Sequence, residues 1–90
     1  MKAWQLLERK GWCKGAAARD GRGRPTSIHS PHAVRFCLVG ALLRCYYRDG
    51  EGLSMGWVSL REAIGDDFGK WNDRKQSGKP VVALLKRLDL

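Results

Sequence analysis

Ser30-Pro31-His32-Ala33-Val34-Arg35-Phe36-Cys37-Leu38-Val39-Gly40-Ala41-Leu42-Leu43-Arg44-Cys45-Tyr46-Tyr47-Arg48 is the stretch on which the fold turns. Ser30 suits a helix N-cap, and Pro31 suits the first helical position, where a missing N–H is not felt. The periodicity therefore predicts a helix over about 31–48, stopped by Asp49-Gly50. At 100° per residue Val34, Cys37, Leu38, Ala41, Leu42 and Cys45 share one face. Phe36, Val39, Leu43 and Tyr47 lie opposite. A helix apolar on two sides is central, with neighbours packed on both. Gly40 costs about 1 kcal/mol there relative to Ala. Its presence points to close approach by another backbone.

Working outward, residues 3–10 read as a short helix, apolar through Trp4, Leu6 and Leu7. Gly11 fits the left-handed residue that ends a helix cheaply, with Trp12 folding back on Leu7. Residues 12–29 are rich in Gly and Arg, and Asp20-Gly21 is a hairpin-turn dipeptide. A small hairpin is expected there, pairing 13–19 with 24–28. Beyond the central helix, 49–58 reads as a Gly-rich loop. Ser59-Leu60-Arg61-Glu62 matches a capping box for a short helix over 60–64, ended by Gly65. Residues 66–76 read as a turn-rich link. A last helix runs from a Ser77 cap through Leu88, its apolar face made by Val81, Leu84, Leu85 and Leu88. The fold class expected is mainly α (α+β): three to four helices around the helix at about 31–48, with a small N-terminal β-hairpin.

Ninety residues amount to one domain, 1–90, with a small core. Apolar content of 43% argues for a folded globule. The longest charge-free apolar run, Phe36 to Leu43, is far below the ~20 residues that cross a bilayer. With no signal-peptide pattern and an odd three cysteines, the chain reads as cytoplasmic and without a disulfide framework. Cys37 and Cys45 on one helix would stand ~12 Å apart along its axis, too far to bridge.

The unusual quantity is a net charge of +8 with a pI near 9.9. It points to an anionic macromolecule as partner, nucleic acid or an acidic protein surface, and no membrane partner is expected. Residues 1–48 hold ten basic and two acidic side chains, whereas 49–67 hold one basic and five acidic. The densest run is Arg9, Lys10, Lys14, Arg19, Arg22 and Arg24, broken only by Asp20. These six are the candidate nucleic-acid or partner-binding residues.

Four candidate chemistries compete with plainer readings. Arg22-Gly23-Arg24-Pro25 resembles the core of an AT-hook, whose extended arginines enter narrow minor grooves. The plainer reading, a basic hairpin tip, is preferred for so short a motif. His29 and His32 with Cys13 and Cys37 lack any standard metal spacing, so no metal and no cofactor is expected. Cys13, among basic residues that would lower its pKa, is the best placed of the thiols for a small thiol-dependent enzyme. Cys37 and Cys45 read as small core hydrophobes. Trp71-Asn72-Asp73 reads either as a polar site with an aromatic wall or, preferably, as turn chemistry closing the core. A Trp left exposed beside the basic run would suggest base stacking.

Taken together, several stretches resemble an uncharacterised family of small bacterial and bacteriophage proteins. They are Arg9-Lys10-Gly11-Trp12-Cys13-Lys14-Gly15 with Ala18-Arg19-Asp20-Gly21, then Ser30 and Ala33 through Leu42, Trp71-Asn72-Asp73, and Val81 through Leu85. Gly78-Lys79-Pro80 departs toward the basic from the acidic start that the resemblance implies for the last helix. The resemblance implies no activity, cofactor or catalytic residue. It adds one reading, a phage-type protein-interaction module or an anti-defence inhibitor of a host protein complex, such as a bacterial nuclease complex. The expectation is therefore a non-enzymatic binding protein that contacts nucleic acid or nucleoprotein through 9–24. The interaction module stands second and the thiol enzyme third.

Overall fold

The computed structural model describes residues 1–90. Five helices carry most of the chain: α1 (Ala3–Arg9), α2 (Leu38–Tyr46), α3 (Gly50–Ile64), α4 (Phe68–Asp73) and α5 (Lys79–Arg87). Two short strands, β1 (Ala18–Arg19) and β2 (Arg35–Phe36), pair antiparallel. The helix α2 is central, touching α1, α3 and α4, while α5 packs on α1. Phe36, Leu38, Leu42, Leu60, Val81 and Leu85 are fully buried and form the middle of the core.

The central helix is shorter than the sequence pattern predicts. Residues 31–36 do not join it: Ser30 and Pro31 lie in a turn, Arg35 and Phe36 are strand, and Cys37 is the N-cap. The Cys37 Sγ accepts the Gly40 N–H at 3.2 Å. Val34 and Phe36 fit the two apolar faces of a helix by spacing alone. The competing force is pairing, since the Cys37 N–H donates to the Ala17 carbonyl at 3.1 Å and pulls this segment into the ribbon.

The expected close approach at Gly40 is real. A Cβ there would lie 1.9 Å from the Ala17 carbonyl oxygen. Only a glycine lets the 13–17 loop rest on α2. Gly11, at φ 136°, follows the α1 C-cap as expected.

Two stretches read as loop and link are helical. Asp49 ends one helix and caps the next, its Oδ1 accepting the Gly52 N–H at 2.9 Å. Glycines 50, 52 and 56 weaken α3 by propensity. Leu53, Trp57, Leu60 and Ile64 override them by packing one apolar stripe on the core. Gly56 also packs closely, and an added Cβ there would meet the Leu90 side chain at 3.4 Å. Asp67 caps α4 through the Lys70 N–H at 3.0 Å, and Phe68 stacks on Trp57 with centroids 5.4 Å apart. The last helix follows its predicted face, with Val81, Leu84 and Leu85 buried.

The strand pairing differs from the expected hairpin. Residue 18 opposes Phe36 and Arg19 opposes Arg35, so the partner of 18–19 lies after the 20–34 excursion. The expected hairpin survives in part: 24–26 folds back on 18–20, the Thr26 N–H donating to the Ala18 carbonyl at 3.0 Å beside an antiparallel bridge between Arg19 and Pro25, and Trp12 bridges Phe36 in parallel on the other side. The result is an irregular four-segment ribbon in the order 11–13, β2, β1, 24–26. Poor strand propensity at Ala16-Ala17-Ala18 keeps it short.

Candidate nucleic-acid interface

The alternation of the ribbon sets its chemistry. Ala18 and Phe36, opposite one another, are both buried and face the core. Arg19 and Arg35, one residue along on each strand, therefore share the outer face. Arg35 is not among the six candidates that charge density selects. Its signal is the polar-then-apolar step Arg35-Phe36, which a helical reading conceals.

Asp20 shapes the tip. Its Oδ1 accepts the N–H groups of Arg22 at 2.9 Å and Arg24 at 3.0 Å, and its Oδ2 accepts Arg24 Nε at 3.1 Å. The backbone closes as well, Asp20 N–H to the Arg24 carbonyl at 2.9 Å and Gly23 N–H to the Asp20 carbonyl at 3.0 Å. Gly23 takes φ 80°, which favours glycine. The Arg24 N–H leads the donors that hold the Asp20 carboxyl below its ordinary value of 3.8. This closed turn is the basic tip preferred over the AT-hook: Arg22-Gly23-Arg24-Pro25 is folded on an aspartate instead of extended along a groove.

The six predicted cations lie on the ribbon or beside it, in different states. Arg9 and Lys10 are exposed at the end of α1. Arg22 is exposed on the tip. None of these three, nor Arg35, is paired with a carboxylate. Lys14 reaches the Lys75 carbonyl at 3.3 Å. The Arg19 guanidinium is half-buried and donates to the Lys14 carbonyl at 3.1 Å and the Gly23 carbonyl at 2.8 Å, tying the loop to the tip. Arg24 is committed to Asp20. A cleft of about 590 Å³ opens beside the tip, lined by Arg22, Arg24, Thr26, His32 and Val34 among others.

Asn72 holds the ribbon to the helices. It is fully buried, and its Oδ1 accepts Trp12 Nε1 at 2.8 Å and the Leu38 N–H at 3.0 Å. Its Nδ2 donates to the Cys13 carbonyl at 3.3 Å and to Asp73 Oδ1 at 3.1 Å. Asp73 in turn accepts the Gly15 N–H at 3.1 Å, the chief reason its carboxyl is held below the usual aspartate value. So Trp71-Asn72-Asp73 serves less to close a local turn than to clamp the Gly11–Gly15 segment onto α2 and α4.

The thiols are not activated. Burial pushes Cys13 up to about 11, with Cys37 adding to the rise; Arg19 and Arg35 lower it, as their charges must, but lose to desolvation. This reverses the expectation drawn from basic neighbours alone. Burial also raises Cys37 and Cys45. The two histidines and two cysteines considered for a metal are not brought together, and no group of three metal-ligating side chains forms elsewhere. None of the four tryptophans is exposed: Trp12 binds Asn72, Trp57 stacks on Phe68, and Trp4 and Trp71 sit under Lys86 and Lys75. A second groove of about 530 Å³ between α1 and α5 is floored by Leu7, Trp12, Val82 and Ala83. Its rim cation Lys86 is taken up by Glu8 at 2.7 Å.

A family match spans residues 1–88, nearly the whole chain and every segment of the ribbon. The chain belongs to DUF6197, a family of unknown function. No curated protein and no solved structure matches it. Membership in DUF6197 assigns no chemistry to the ribbon, which rests on its own geometry. No helix is long and apolar enough to cross a membrane.

Proposed function

We propose that this DUF6197 member is a non-enzymatic, cytoplasmic binding protein that takes nucleic-acid phosphates on the outer face of its ribbon. One observation carries the reading. Arg19 and Arg35 stand directly opposite across the β1–β2 pair with no carboxylate between them. Like charges in that position destabilise a strand pair, and an anion bound at Arg35, beside the carbonyl-held Arg19, relieves the cost. Unpaired Arg22, Arg9 and Lys10 extend the positive surface. Phosphates met by arginines give affinity without requiring sequence readout.

The test is fluorescence anisotropy with labelled DNA and RNA oligonucleotides. Direct phosphate binding weakens steeply between 50 and 200 mM salt. The double variant Arg22→Ala/Arg35→Ala is expected to bind weakly at 50 mM salt while keeping its circular dichroism spectrum. Absence of wild-type binding to both DNA and RNA at low salt ends the proposal.

A second reading, a protein-interaction module, has support from α3. Met55 is 65% exposed and Val58 45% exposed on its outer face. Such an interface keeps its affinity across the same salt range, because its anchors are apolar.

A further inference from the structure

Near the basic cleft, joined to it through the 26–32 loop, lies an aromatic cluster that phosphate binding leaves unused. Tyr47 is 47% exposed at the end of α2. The His29 ring meets it edge-on with centroids 4.4 Å apart. Arg48 donates from Nε to the Tyr47 hydroxyl at 2.7 Å, and its guanidinium carbon lies 5.3 Å from the ring centroid. One short loop joins this cluster to the basic cleft. Thr26, Pro31 and His32 line the cleft, and His29, between them in sequence, touches Tyr47.

We infer that the His29–Tyr47–Arg48 cluster is a stacking platform for an unpaired base, so that the nucleic acid taken by the ribbon is single-stranded. The inference rests on the nucleic-acid reading above and narrows its substrate.

Three physical points carry it. Rings and guanidinium planes beside a cationic track are the equipment of single-strand binding, because every base has a face to stack. A buried aromatic has no such access, and the tryptophans are all at least half covered, so Tyr47 is the exposed ring available near the ribbon. Duplex reading through the major groove calls for an α-helix or a two-stranded ribbon long enough to lie in it. Here the strands are two residues each, and the tip is a closed turn on Asp20. A flexible single strand can pass from Arg22 along the cleft past His32 to Tyr47, placing phosphates in the cleft and a base on the ring.

The experiment compares three labelled probes of equal length by anisotropy: oligo-dT, the same backbone with abasic sites in place of bases, and a duplex. The expected order is oligo-dT tightest, with the abasic strand weaker by at least several-fold. Tyr47→Ala is expected to weaken oligo-dT binding by about fivefold to about 150-fold, the range of one lost stack. Its salt slope should stay unchanged, because every phosphate keeps its cation. Tyr47→Phe keeps the ring but releases Arg48 from the hydroxyl, and is expected to lose less affinity than Tyr47→Ala. A merely structural role would weaken the abasic strand as much as oligo-dT, whereas loss of a stack leaves abasic binding intact. Equal binding of oligo-dT and the abasic strand overturns the platform and leaves phosphate binding standing. Absence of binding to all three probes overturns both.

Discussion

Replacing Asn72 by alanine is the severest single change available outside the apolar core, and its size can be worked from the bonds it breaks. The side chain is fully buried and makes four hydrogen bonds. Asn72→Ala leaves two donors without an acceptor, Trp12 Nε1 and the Leu38 N–H in the first turn of α2. Each unsatisfied buried group costs about 1–3 kcal/mol. The Cys13 carbonyl is deprived of a donor as well, so a total of about 3–6 kcal/mol is expected. A domain of this length holds only about 5–13 kcal/mol in all. The melting temperature should therefore fall by at least ~12 °C. Urea unfolding followed by far-ultraviolet circular dichroism measures the loss, and tryptophan fluorescence reports release of Trp12. A loss below about 1 kcal/mol would refute the clamp, because water or a neighbouring group would then be meeting both donors. Asn72→Asp is the companion. It keeps both acceptor bonds but sets a second carboxylate where Nδ2 now donates to Asp73 Oδ1 at 3.1 Å. Its destabilisation should ease as pH falls and one of the two carboxyls takes a proton.

Gly40→Ala should destabilise by about 1–3 kcal/mol despite a better helix propensity, since its Cβ meets the Ala17 carbonyl and not a movable side chain; unchanged denaturant midpoints would contradict this. Asp20 and Asp73 both titrate below 3.8 in the folded state, so their contribution is present above that value and fades as pH falls through their lowered folded pKa values. Acid titration of stability should therefore be shallower below pH 4 in Asp20→Asn than in wild type. Cys13, buried and pushed up to about 11, should resist iodoacetamide in the folded protein at neutral pH and react on denaturation; rapid alkylation would reopen the thiol chemistry.

The helices are legible where burial follows period. Val81, Leu84 and Leu85 mark α5, and Leu6 and Leu7 mark α1, as their spacing requires. Gly40 is legible too, because a glycine in a buried helix needs a reason. What the sequence conceals is tertiary. Ser30 and Pro31 are helix signals, yet pairing of 34–37 with 17–19 and 11–13 takes that segment into the ribbon. The stripe Leu53, Trp57, Leu60, Ile64 has helical spacing, but three glycines mask it, and packing against α2 and α4 restores the helix. The basic run is visible as charge. Its division of labour is not, for nothing local says that Arg24 is spent on Asp20, that Arg19 ties two loops together, or that Arg35 joins the outer face. Asn72 looks like turn chemistry because its partners, Trp12 and Cys13, are about sixty residues away in the chain.

The most direct measurement is the salt dependence of oligonucleotide affinity for wild type and Arg22→Ala/Arg35→Ala. The ribbon account predicts a steep linear fall of log affinity with log salt. For a single strand, each phosphate that the variant no longer neutralises reduces the slope by about 0.7. A variant that binds with wild-type affinity and slope would show that the phosphates lie elsewhere, and the ribbon would not be the binding face.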